Sequence, residues 1–304
     1  MNRLKVMTVF GTRPDAVKMA PLVKELGKYP QIEQVVCVTA QHRQMLDQVL
    51  DIFHIAPHHD LNIMQDRQTL EQITVKTLEG LDDILGKEKP QIILVHGDTT
   101  TCFAAALAAF YKKIPIGHVE AGLRTFDRYS PYPEEMNRKL AGVLANLHFA
   151  PTAANRTNLL NEGVNPEKIY VTGNTVLDAL KTTVKENYVF QDTTLKQTDF
   201  TCKRVIAVTA HRRENLGEPL ANICFALKDI TDEFKVPLLL CVSLLTVVPE
   251  TMGLFTEVVN MLSFPLSVSL LMVVPLKVGA FTFVENNPVL PFNVSLLIVV
   301  PDTT

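Results

Sequence analysis

The chain has 304 residues, a formal net charge of −3 at pH 7 and a pI near 6.2. That length accommodates two domains of ordinary size, and the charge leaves no basic footprint for nucleic acid. Five cysteines (Cys37, Cys102, Cys202, Cys224 and Cys241) are scattered without CxxC or His-rich spacing. This argues against a zinc site or a disulfide framework and for a reducing, cytoplasmic compartment. No signal-peptide pattern precedes the first strand.

Residues 5–10 read as a buried strand ending at Gly11, and Asp15–Lys28 as a helix. Val35–Thr39 follows as a strand and His42–Phe53 as a helix with apolar residues at 45, 46, 49, 50 and 53. Ile92–His96, Thr99–Tyr111 and Ile114–Val119 read as strand, helix and strand, and Pro133–Leu144 as a helix. Leu147–Ala150, Thr152–Asn161, Ile169–Thr172 and Thr175–Glu186 continue the alternation. After a polar stretch, a strand at Val205–Thr209, a helix near Leu220–Phe234 and a strand at Val236–Leu240 begin a second set. Strands alternating with helices indicate doubly wound parallel sheets.

Five segments place polar groups at strand-to-helix junctions, the usual ligand position in open α/β sheets. Gly11-Thr12-Arg13-Pro14-Asp15-Ala16-Val17-Lys18 offers a helix N-terminus with Arg13 and Lys18, suited to phosphate or carboxylate. It is neither GxGxxG nor a P-loop, so no nicotinamide or nucleotide-phosphate cofactor is expected, and no metal. His96-Gly97-Asp98-Thr99 puts Asp98 before a helix, where it could also serve as an N-cap. The third junction runs from His118-Val119-Glu120 to Pro133-Glu134-Glu135-Met136-Asn137-Arg138. Glu120 should point into a cleft. Pro133 suits the first helical position, and Glu134 and Arg138 share a helix face, where an i,i+4 ion pair is the plain structural expectation. Gly173-Asn174-Thr175 reads as a structural helix start near a hinge. The fifth, His211-Arg212-Arg213-Glu214, suits a diphosphate or a proton-transfer role.

With Thr39-Ala40-Gln41-His42-Arg43, Leu61-Asn62-Ile63-Met64 and Pro131-Tyr132-Pro133-Glu134-Glu135, these segments run in order from Val9 to about Leu240. Together they resemble the non-hydrolysing UDP-N-acetylglucosamine 2-epimerases. The resemblance implies an α/β, GT-B-like fold of two Rossmann-like doubly wound domains, with the sugar nucleotide held in an interdomain cleft. It implies reversible conversion of UDP-GlcNAc to UDP-ManNAc by elimination of UDP to a glycal and re-addition on the opposite face. Asp98, Glu120 and Glu134 match the family's carboxylates, while Lys18, Arg138, Arg13, His211 and Arg212 match its cationic and diphosphate-side groups. Gln41, His42, Gln44 and Arg67 would form the activator site for a second UDP-GlcNAc. A homodimer is expected, without a nucleic-acid or membrane partner.

The expected domains are 1–172, with the sugar and catalytic residues, and 173–240, the start of an incomplete nucleotide-binding domain. In 241–304 the character changes. Val242-Ser243-Leu244-Leu245 recurs as Val268-Ser269-Leu270-Leu271 and as Val294-Ser295-Leu296-Leu297, a period of 26 residues. This stretch holds five charged side chains, Glu250, Glu257, Lys277, Glu285 and Asp302, and no Arg or His. A short solenoid and a membrane span over Val258–Leu276 are possible readings. The abrupt switch fits better with a shifted reading frame through tandemly repeated DNA, so that 241–304 is not a native domain. The family's His-containing loop and Ser-Gly-Gly segment have no counterpart there, which makes an inactive chain the first alternative. A hydrolysing epimerase and a GT-B glycosyltransferase are the others.

Overall fold

The computed structural model describes residues 3–41, 43–65, 68–184, 186–190, 196, 206–210, 218–234, 238–243, 269–273 and 295–299. Of Gln44 and the second-unit strands it describes the backbone. The chain divides into two compact units, Met1–Glu186 and Asn187–Thr304.

The first unit is a seven-stranded sheet in the order β3-β2-β1-β4-β5-β6-β7, parallel throughout. Its strands are β1 (Leu4–Phe10), β2 (Ile32–Val38), β3 (His59–Asp60), β4 (Ile92–His96), β5 (Ile116–Val119), β6 (Leu147–Ala150) and β7 (Ile169–Val171). The central strands are buried over consecutive residues, as strands covered on both faces must be. Helices α1 (Arg13–Leu26), α2 (Arg43–Ile52) and α7 (Val176–Thr183) bury Met19, Leu46 and Ala179 against one face, together with Phe53 just after α2. Helices α3 (Leu70–Glu88), α4 (Thr100–Tyr111) and α5 (Glu134–Leu144) bury Leu81, Leu85, Ala105 and Ala141 against the other. Helix α6 (Ala153–Asn161) packs Leu159 on Ala121, Ala150 and Ile169.

The second unit pairs β8 (Ile206–Ala210), β9 (Leu238–Ser243), β10 (Ser269–Val273) and β11 (Ser295–Val299) in parallel, in the order β11-β10-β9-β8. Helix α8 (Glu218–Phe234) lies between β8 and β9 in sequence. The last two repeat copies pair in repeat register, Ser269 opposite Ser295. The first is displaced by four residues, with Leu239 rather than Ser243 opposite Ser269. Residues 269–273, inside the proposed membrane span, form a strand; among the described residues no helix is long and apolar enough to cross a membrane.

Three points differ from the sequence reading. Helix α3 fills part of a stretch read without elements. Its signals are a capping box between Thr69 and Gln72 and buried residues at Ile73, Thr77, Leu81 and Leu85, one helical turn apart. The second domain was expected from 173, but α7 shares the core of the first unit, whose boundary falls after Glu186. Pro133 is the N-cap of α5, not its first helical residue.

Candidate active site

The strand order reverses between β1 and β4, and the segments leaving these two strands carry Arg13, Lys18 and Asp98, with Glu120 following the next strand, β5. Such a switch point is where open α/β sheets leave a crevice. The β1–α1 turn is set by Thr12, which accepts from the Asp15 amide while the Asp15 carboxylate takes the Thr12 amide, a reciprocal capping box. Asp15 is 3% exposed and also accepts from the Thr99 hydroxyl at 3.1 Å, which ties this turn to the one leaving β4. Gly11 permits the closeness: a Cβ there would lie 2.0 Å from Thr39 Oγ1 and 2.7 Å from Thr101 Oγ1.

Lys18, one turn along α1, reaches Glu120 just beyond β5. Its Nζ donates to Oε1 at 2.6 Å and Oε2 at 2.7 Å. Glu120 has φ of 63°, the left-handed region that is costly for a residue with a Cβ, and its side chain is buried. Asn174 Nδ2 donates to the same Oε1 at 2.9 Å. The sequence reading gave Asn174 a structural role only; its side chain belongs to this cluster. Gly97 adopts φ of 65°, the left-handed region that favours glycine, and a Cβ on it would make only ordinary contact with Glu120 Oε2, at 3.6 Å.

Asp98 and Arg138 form a second pair, Nε donating to Oδ2 at 2.8 Å. Asn137 adds a hydrogen bond from Nδ2 to the Asp98 carbonyl at 2.9 Å. Thr99, not Asp98, caps α4, accepting from the Cys102 amide. The expected Glu134–Arg138 pair does not form. Arg138 instead donates from Nη1 to Glu135 Oε2 at 2.9 Å, an i,i+3 contact. Glu135 is fully buried and accepts from the amides of Thr125 and Phe126, so it braces the loop before α5. Glu134 keeps one buried carboxylate oxygen without a hydrogen-bond partner among the described residues.

Behind these turns, buried His118 donates from Nε2 to the Gly97 carbonyl at 2.7 Å. Burial is the main cause that holds its pKa down to about 4, with His148 and His96 adding to it. Arg13 is exposed on the first turn of α1 and makes no ion pair among the described residues. Gln41 accepts from the Thr101 hydroxyl at 3.0 Å, so it sits beside the β1–α1 turn. Arg43 is taken up by Asp47 and Asp60. His42, Arg67, His211 and Arg212 lie outside the described residues, as does the side chain of Gln44.

A family profile described as UDP-N-acetylglucosamine 2-epimerase matches residues 24–286, most of the chain. The chain belongs to that family. The UDP-N-acetylglucosamine 2-epimerase of Bacillus subtilis is 58% identical over 235 residues, covering 77% of this chain and 61% of the relative. That of Escherichia coli K12 is 55% identical over 240 residues, covering 75% and 62%. The crystal structure of the Neisseria meningitidis UDP-GlcNAc 2-epimerase bound to UDP-GlcNAc superposes with a TM-score of 0.75 at 43% identity, covering 88% of this chain and 77% of that one. The α/β, GT-B-like fold expected from the sequence is therefore the family's fold. The chain spans about three fifths of the length of the curated relatives it matches. The profile match runs past residue 240, where the sequence reading ended the resemblance.

Proposed function

We propose that the chain carries the acid–base machinery of a UDP-N-acetylglucosamine 2-epimerase, interconverting UDP-GlcNAc and UDP-ManNAc. The observation that carries this reading is the Lys18–Glu120 pair beside the Asp98–Arg138 pair at the sheet's switch point. Carbon 2 of the sugar is not adjacent to a carbonyl, so its proton is removed only if the electron pair has somewhere to go. Elimination supplies this. A carboxylate takes the C2 proton, the C–H pair becomes the C1–C2 double bond, and the C1–O bond breaks to release UDP. Re-addition of UDP with protonation from the other face gives the epimer.

In this reading Glu120 is the base, with Asp98 and Glu134 the further acid–base groups; two carboxylates in different surroundings can divide such roles. Lys18, Arg138, Arg13, His211 and Arg212 balance the charge of the departing diphosphate. Gln41, His42, Gln44 and Arg67 are assigned to a second, activating UDP-GlcNAc. No cofactor is invoked, and the reading places the protein in the cytoplasm as a homodimer. Residues 241–304 are read as not belonging to the native second domain.

The test is incubation with UDP-GlcNAc in heavy water, followed by proton NMR. Deuterium at C2 together with UDP-ManNAc is the expected result. A second reading, a chain that binds without turnover, is favoured by the lack of a counterpart to the family's His-containing loop and Ser-Gly-Gly segment in 241–304. Saturable UDP-GlcNAc binding without C2 exchange selects that second reading, and failure to bind overturns both.

A further inference from the structure

His96, the last residue of β4, is 3% exposed, yet neither ring nitrogen makes a hydrogen bond among the described residues. It is flanked instead by two buried carboxylates. Nδ1 lies 3.5 Å from Asp15 Oδ1, and Nε2 lies 3.5 Å from Glu120 Oε2. Leaving a buried polar group unpaired costs about 1–3 kcal/mol, so a ring held this way needs an explanation beyond packing. Both carboxylates are fixed from their far sides. Asp15 is held by the Thr99 hydroxyl and the Thr12 amide, and Glu120 by Lys18 and Asn174. The ring therefore spans from the capping box of α1 to the carboxylate beyond β5.

We propose that His96 is a positioning residue for Glu120. Its ring, carrying a proton on each nitrogen, donates from Nδ1 to Asp15 Oδ1 and from Nε2 to Glu120 Oε2, and so aims the Glu120 carboxylate at the C2 proton. The inference rests on the reading of Glu120 as the base. Contacts of 3.5 Å are just outside hydrogen-bond range, and catalytic hydrogen bonds commonly shorten only in the substrate complex. Nothing is transferred in the positioning itself: the ring proton stays on Nε2 while Glu120 takes the proton from carbon.

Two measurements on the whole protein test this. The first is the rate of C2 deuterium exchange at saturating UDP-GlcNAc. His96→Leu is expected to lower it about 100-fold with little change in KM, and His96→Gln, whose amide nitrogen can take the place of Nε2, to recover about 10-fold of that loss. The second reads no turnover: long-range proton–nitrogen spectra of the ring, assigned by their loss in His96→Gln. Glu120→Gln is expected to shift Nε2 and Asp15→Asn to shift Nδ1. If neither ring signal moves, or if the unsubstituted protein exchanges and His96→Leu matches its rate, the proposal is overturned. If the ring signals respond but the unsubstituted protein shows no exchange, the Asp15–His96–Glu120 link stands and the epimerase reading fails.

Discussion

Lys18 and Glu120 lie 102 positions apart, yet one ammonium serves both oxygens of one carboxylate, at 2.6 and 2.7 Å. Glu120 is only 8% exposed, so removing its cation strands a buried charge. Lys18→Met is expected to cost about 3 kcal/mol in denaturant unfolding. Adding Glu120→Gln should recover much of that loss, because the amide needs no counter-charge. Strictly additive losses in the double variant would show that the pair is not coupled.

Glu134 and Glu135 are adjacent but should behave oppositely. Glu135 is fully buried and braces two loop amides and Arg138, so Glu135→Gln is expected to lower stability by about 2 kcal/mol. Glu134 has a buried oxygen without a partner, so Glu134→Gln should change stability by less than about 0.5 kcal/mol while lowering C2 exchange. Thermal unfolding and exchange rates measured on both variants decide the matter.

Arg138 engages Asp98 through Nε and Glu135 through Nη1, which needs the guanidinium fork. Arg138→Lys keeps the charge but serves one carboxylate at a time. A destabilisation of about 2 kcal/mol is expected in urea titration, and an unchanged midpoint would contradict it.

Gly11 and Gly86 make a matched pair. Gly11→Ala drives a methyl into Thr39 and Thr101 and should cost about 1–3 kcal/mol. Exposed Gly86, within α3, has nothing within 4 Å of its would-be Cβ, so Gly86→Ala should add up to about 1 kcal/mol through helix propensity. Calorimetric melting of the two variants should shift in opposite directions.

His118 sets a pH dependence. Its pKa is held at about 4 in the fold against an ordinary 6.5, so the unfolded chain binds the proton more tightly. Stability from this group is complete above pH 6.5 and is lost progressively as pH falls toward 4. His148, also held below its ordinary value mainly by burial, acts in the same direction. His118→Gln should reduce the slope of unfolding free energy against pH across that window; an unchanged slope would assign it to other groups.

How much was legible in the sequence follows from how far each signal reaches along the chain. Alternating apolar runs, the Thr12, Thr99 and Thr152 caps and the residues closing each strand are local, so the sequence by itself determined the parallel α/β class and put Lys18, Asp98 and Glu120 at junctions. Helix α3 is legible too, through its Thr69–Gln72 capping box. Only the tertiary structure decided which junction side chains meet. Spacing favoured Glu134 as the partner of Arg138, but Asp98, brought in from the turn after β4, and buried Glu135, three residues earlier on the same helix, take that place instead. The same holds for Asn174 and His96, read as a helix start and a strand end. Their side chains converge on Glu120 because β4, β5 and the turn after β7 are brought together by sheet pairing, a contact between residues too distant in sequence for any local period to encode.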